Sequence, residues 1–178
     1  MRELKIILAP NNVLTTRSQE VKGVDGGLRR LISDLKYTLS LQAEPEGVGI
    51  AAPQVGQSLR LFVLRDEETR VMTTYLNPEI MTLSAETYEQ AHPEDDQILE
   101  GCLSVPDIYG KITRANSIEV KFLDETGQPQ EEEMIGLKAT YFQHEYDHLE
   151  GILFTTRVLA EGNQLFRLVG EHWHKIKL

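Results

Sequence analysis

Gln143-His144-Glu145-Tyr146-Asp147-His148 is the stretch from which the rest of this chain is best read. On an α-helix, residues four apart are separated by slightly more than one turn. The imidazoles of His144 and His148 therefore leave one face, one above the other, and can grip one ion. Glu145 follows the first imidazole but points roughly a quarter-turn away, which suits a carboxylate that acts on a metal-bound water rather than on the metal. His-Glu-x-x-His is thus a pattern of metal-assisted hydrolysis. An i, i+4 histidine pair also arises by chance, so its surroundings matter. Leu137, Tyr141, His144 and His148 fall at i, i+4, i+7 and i+11, which places the histidines on the apolar, core-facing stripe of a helix running from about Leu137 to Glu150, with Gly151 as its stop. Imidazoles and a carboxylate turned toward a core carry a desolvation cost unless something polar or metallic satisfies them.

Upstream, Leu28, Leu31, Ile32, Leu35 and Leu39 recur at helical spacing and predict a first helix from about Val24 to Gln42, ended by Pro45 and Gly47. Leu59 to Arg65 and Val71 to Leu76 read as a hairpin around Asp66-Glu67-Glu68-Thr69, Asn77-Pro78 as a turn or edge, and Glu79 to Ser84 as another strand. The acidic segment Glu86 to Gln97 reads as a flexible surface loop. Ile98 to Val105 predicts a strand carrying Cys102 and closed by Pro106, and Ser117 to Leu123 a strand returning through Asp124-Glu125-Thr126-Gly127 to about Ile135. A last amphipathic helix would hold Leu165, Leu168, Val169 and Trp173. The sum is α+β: mixed or antiparallel short strands around a central helix bearing the histidines, with an N-terminal helix and a C-terminal helix, in a single catalytic domain spanning residues 1–178.

Composition narrows the function classes. With 178 residues, 40% hydrophobic and 26% charged, the chain can build one ordinary core. No stretch approaches the roughly 18 apolar residues of a membrane span, and the apolar patch Ile6 to Ala9 is too short for a signal-peptide core, so a cytoplasmic protein without a membrane segment is expected. A net charge of -10 argues against a nucleic-acid site, because phosphate contacts need a basic stripe. The acidic residues Glu131 to Glu133 and Glu86 to Glu100 read as solvated positions rather than a calcium loop. A single cysteine excludes an internal disulfide and fits a reducing compartment.

A helix with two histidines lacks the third protein ligand that a catalytic site of this kind normally has. Cys102, in Glu100-Gly101-Cys102-Leu103-Ser104, is the strongest candidate; His92, His172 and His174 lie in segments without a motif and read as bystanders. Three motifs then stand in order: Gly47-Val48-Gly49-Ile50-Ala51-Ala52-Pro53-Gln54, Glu100 to Ser104, and Gln143 to His148. Together they resemble the peptide deformylase family, from about the first helix through Phe154. The acidic loop and the tail beyond about Leu159 fall outside the resemblance.

The resemblance implies that Cys102, His144 and His148 hold one divalent ion, Fe²⁺ in cells and replaceable by Zn²⁺, Ni²⁺ or Co²⁺. Imidazole and thiolate suit several first-row metals. It implies hydrolysis of the formyl amide of N-formylmethionyl peptides, with Glu145 moving the proton and the Gln54 amide and Leu103 backbone N–H stabilising the oxyanion. Val48, Gly49 and Gly101 would pair with the peptide backbone, with Gly47 and Gly49 kept small for its passage. Leu137 and Tyr141 are positioned either to line a methionine pocket or to serve as plain core. Tyr109 and Arg114 would line the groove or pair with Asp147. A transient ribosomal partner follows from the substrate. A zinc endopeptidase would instead draw its third ligand from downstream, where Glu150, Glu161 and His172 lack a motif. A non-enzymatic relative would be expected to have lost Glu145, Gln54 or a ligand.

Overall fold

The computed structural model describes residues 1–42, 47–95 and 98–177. Asp25 starts the first helix, α1 (Gly26–Ser40), by accepting a hydrogen bond from the Leu28 N–H at 2.8 Å. Its periodic leucines face a sheet built from β1 (Gly49–Ala51), β2 (Leu61–Arg65), β3 (Met72–Leu83), β6 (Ser117–Leu123) and β7 (Pro129–Ile135), ordered β1-β2-β3-β6-β7 and antiparallel throughout. The expected stop at Pro45 lies outside the described residues, as does Gln97 at the end of the acidic segment.

Every residue of β2 is buried, because the strand has a helix on each side. Leu61 and Val63 join Leu28, Ile32, Leu35 and Leu39 of α1 in one core. Phe62 and Leu64 alternate to the opposite face, where Ala139, Phe142 and Leu149 of the histidine helix α3 (Leu137–Glu150) cover the sheet. The Phe142 ring meets Phe62 and Tyr75 edge-on, with centroids 5.0 and 5.2 Å away. The helix is buried well beyond a single stripe: Glu145 and Asp147 are as enclosed as His148.

A second antiparallel sheet, ordered β4-β5-β8-β9, contains β4 (Glu100–Cys102), β5 (Val105–Gly110), β8 (Leu165–Val169) and β9 (His172–Lys175). The short helix α4 (Phe154–Ala160) packs beneath it around Ile112, Phe154, Val158 and Leu165. The N-terminal segment links the two sheets: the Ile7 N–H donates to the Gln54 carbonyl at 2.8 Å and the Ala9 N–H to the Ser104 carbonyl at 2.9 Å. Ser18 N–H then reaches Leu149 at the end of α3, also at 2.8 Å.

Four expectations need correction. The strands expected at 71–76 and 79–84 are one strand, β3, which passes Asn77-Pro78 through a bulge. Asn77 adopts φ 46°, and its side chain exchanges two hydrogen bonds with the Val21 backbone, each 2.8 Å. Pro106 does not close the cysteine strand. The chain turns at Leu103-Ser104, and Pro106 sits inside β5, where the register shift between Gly101 and Cys102 spares it a ladder hydrogen bond. The acidic segment contains a helical turn, α2 (Tyr88–Ala91), with a reciprocal cap between Thr87 and Gln90. Finally, Leu165 to Trp173 is not a helix but the β8–β9 hairpin. Gly170 turns it at φ 61°, and burial alternates from Phe166 to Val169 in β8.

Candidate metal centre and active site

The α3 helix ends at Gly151, whose left-handed φ of 73° lets its N–H return to the last turn; a Cβ there would stand 2.8 Å from the Thr15 backbone. Thus anchored, the helix brings His144 and His148 together, their ring centroids 5.2 Å apart. Cys102 enters from the last position of β4, its Sγ 3.2 Å from His148 Nε2. The ligand atoms of Cys102, His144 and His148 all lie within 4.8 Å of one another, and among the described residues this is the cluster able to hold a metal ion. His92 stacks on Tyr88, while His172 and His174 are exposed on β9 and take no part.

Glu100 precedes Cys102 by two residues on the same strand face, and its Oε2 lies 2.8 Å from His144 Nδ1. That contact turns the other ring nitrogen toward the cluster. Arg114 holds Glu100 at 2.6 and 2.9 Å and reaches Asp147 at 2.7 Å, while Arg157 pairs with Asp147 from outside. Burial opposes ionisation of Glu100, but hydrogen bonds from Arg114 and His144 outweigh it and hold the carboxyl down to about 2. Burial likewise disfavours the Cys102 thiolate, yet the charges and hydrogen bonds of His148 and His144 bring it well below the usual thiol range. His144 is correspondingly drawn well above the usual imidazole range, as Cys102 and Glu100 overcome its burial. The thiolate and the two imidazoles, within reach of one another, make a sulfur–nitrogen donor set suited to first-row metals, and a divalent ion bound there would displace the protons that the cluster otherwise shares. The residues therefore fit a metal.

Glu145 is 4% exposed, and burial pushes its carboxyl up to about 7. Its Oε2 has no partner within the described protein. Gly49 lies directly against it: a Cβ there would stand 2.5 Å from Oε1. The glycine is required by the carboxylate, a reason its sequence context did not reveal. Gln54 sits in the 3-10 turn that follows β1. Its Oε1 accepts from the Ala51 N–H at 2.8 Å, which fixes the amide so that Nε2 points at Cys102 Sγ, 3.5 Å away. Leu103 lies in the turn immediately after Cys102.

The expected peptide track is only partly open. Val48 gives its carbonyl to the Arg65 N–H at 2.8 Å, so by ladder alternation it faces β2, while the polar groups of Gly49 face the free edge of the sheet. Gly47 is buried against Gln42 and Leu39, and Arg65 holds its carbonyl. Gly101 is covered by the Tyr109 ring. Leu137 opens α3 half-buried, and Tyr141 packs on the large core with its hydroxyl 3.2 Å from Glu67. Arg114 pairs with Asp147, one of the two alternatives open for it. Glu100, expected with the solvated acidic positions, instead has a buried side chain, because Arg114 and His144 satisfy its carboxylate. A broad groove at the start of α1, lined by Arg2, Lys22 and Arg29 among others, includes none of these residues.

A family model described as "Polypeptide deformylase" matches residues 3–164. A peptide deformylase of Mesorhizobium japonicum is 40% identical over 159 residues, covering 86% of this chain and 82% of that protein. One of Treponema pallidum is 42% identical over 156 residues, covering 88% and 87%. Among solved structures, the peptide deformylase of Thermotoga maritima superposes with a TM-score of 0.77 at 36% identity, covering 88% of this chain and 98% of that one. The Synechococcus elongatus enzyme, solved with actinonin, gives 0.76 at 33% identity, covering 88% and 79%. Its motifs, its fold and these likenesses agree: the chain belongs to the peptide deformylase family.

Proposed function

We propose that this chain hydrolyses the formyl amide of N-formylmethionyl nascent peptides, giving formate and a free amino terminus, with Glu145 as proton carrier. The observation that carries the assignment of roles is the meeting of Cys102, His144 and His148 with the fixed amide of Gln54, beside a buried carboxylate held near neutrality. One divalent ion held by the cluster, Fe²⁺ in cells or Zn²⁺, Ni²⁺ or Co²⁺ in its place, supplies Lewis acidity toward the formyl carbonyl and the attacking water. Glu145 accepts the proton of that water as it attacks the formyl carbon, then delivers it to the amine as the carbon–nitrogen bond breaks. A carboxyl poised near 7 suits both halves of this transfer. Gln54 Nε2 and the Leu103 N–H donate to the carbonyl oxygen as charge develops there.

The peptide backbone has two free sheet edges to use, since β1 and β4 each end their sheet. Strand addition at Gly49 and Gly101 would lead the amino terminus to the cluster, with the methionine side chain turned inward toward Leu137 and Tyr141. Among the described residues no helix is long and apolar enough to cross a membrane. We place the reaction in the cytoplasm, within one catalytic domain, on chains still at the ribosome.

Formate release from formyl-Met-Ala-Ser by metal-loaded protein, against cleavage of an internal peptide bond, tests the reading. Release with no internal cleavage is expected, and the reverse would overturn it. Glu145→Ala should keep its metal by elemental analysis and lose turnover. Metal analysis after anaerobic purification identifies the ion.

A further inference from the structure

The β8–β9 hairpin lies beyond residue 164, where the family match stops, yet it extends the sheet whose free edge carries Gly101. Residues opposite one another in an antiparallel pair share a face. The registers Gly101↔Tyr109, Tyr109↔Phe166, Phe166↔Lys175 and Leu168↔Trp173 put Gly101, Tyr109, Phe166 and Trp173 on one side. Glu100, Cys102 and Gly110 point to the other, toward the cluster and α4. The Tyr109 ring leans into the space that a Gly101 side chain would fill, its Cε1 only 2.6 Å from the Cβ position. Trp173 backs it edge-on, with centroids 5.1 Å apart, and is itself 50% exposed.

We infer that Tyr109, backed by Trp173 of the hairpin, forms a subsite for the side chain of the residue following formylmethionine, and that it selects bulky apolar side chains. The inference rests on strand addition at β4. With the methionine side chain turned toward the cluster face, alternation sends the next side chain to the Gly101 face. A side chain opposite Gly101 would stand about 5 Å from the Cβ position. Since the Tyr109 ring occupies that position, this side chain meets an aromatic surface and not bare backbone.

The test is a series of formyl-Met-X-Ser substrates, with X alanine, leucine or phenylalanine, given to the metal-loaded enzyme. kcat/KM for leucine and phenylalanine should exceed that for alanine by about tenfold, the size of discrimination an apolar contact supplies. Trp173→Ala should reduce this ratio to roughly threefold or less. Arg167→Ala, on the opposite face of the hairpin, should leave the ratio as it is. Trp173 is the single tryptophan of the chain, so its emission reports occupancy without turnover. The product Met-Phe-Ser should shift it more than Met-Ala-Ser does. An active enzyme with equal kcat/KM for all three substrates, or a preference untouched by Trp173→Ala, overturns the subsite alone. A loaded enzyme inactive on every formylated peptide overturns the deformylase reading and the subsite with it.

Discussion

Gly49 and Glu145 must be considered together. The carboxylate is seated against a backbone with no Cβ to displace it, so Gly49→Ala would move the proposed proton carrier without touching Cys102, His144 or His148. The expected outcome is unchanged metal content with a loss of kcat of about 10²-fold, the usual effect of misplacing a reacting group by an ångström. Glu100 governs the other property. It orients His144, and Glu100→Gln should weaken metal binding roughly 10- to 100-fold in a chelator-competition titration. Of these residues, the cluster able to hold a metal was legible because His144 and His148 obey helical spacing and Cys102 has no rival thiol. Glu100 was not, because a carboxylate on a short strand announces no partner until the strand is docked on the helix. Gly49 was legible as small but not for its actual reason, which depends on a side chain far away in sequence.

Elements with one dominant period were readable, and those interrupted by a bulge or a short turn were not. The α1 and α3 helices and the β6–β7 hairpin fall where their patterns predict. Asn77-Pro78 and Pro106 look like breaks, but each lies in a bulge where a strand tolerates a residue without a free N–H. The C-terminal hairpin misleads because Leu165, Leu168 and Val169 also satisfy helical spacing, whereas Gly170 and the exposed Arg167 between Phe166 and Leu168 mark a strand. The β6–β7 turn offers a test at this scale. The Asp124 carboxyl accepts from the Thr126 hydroxyl at 2.7 Å and the Gln128 N–H at 3.0 Å, which holds it down to about 2. A carboxyl depressed in the folded state contributes stability above its unfolded value near 4, and that contribution is lost as pH falls toward about 2. Melting temperatures of the wild type and Asp124→Asn should therefore differ at pH 5 and converge as pH approaches 2.

At the scale of the molecule, the α+β class followed from element types, while the division into two sheets did not. Nothing local says that β4 joins β5 and β8 rather than β3. The larger sheet and α3 share the main core, and Phe142 is its keystone, fully buried against Phe62 and Tyr75. Phe142→Ala should cost about 3–5 kcal/mol and lower the melting temperature by roughly 10 °C in calorimetry. A smaller shift would mean that the helix and sheet relax into the cavity. The N-terminal segment bears on how such a molecule is made. Ile7, Ala9 and Ser18 are synthesised early, yet the backbone groups they bind belong to Gln54, Ser104 and Leu149, the last at the end of the histidine helix. Each step of closure waits for more chain to emerge, and a polypeptide halted before His148 lacks one member of the cluster able to hold a metal. The catalyst is thus assembled late in its own synthesis.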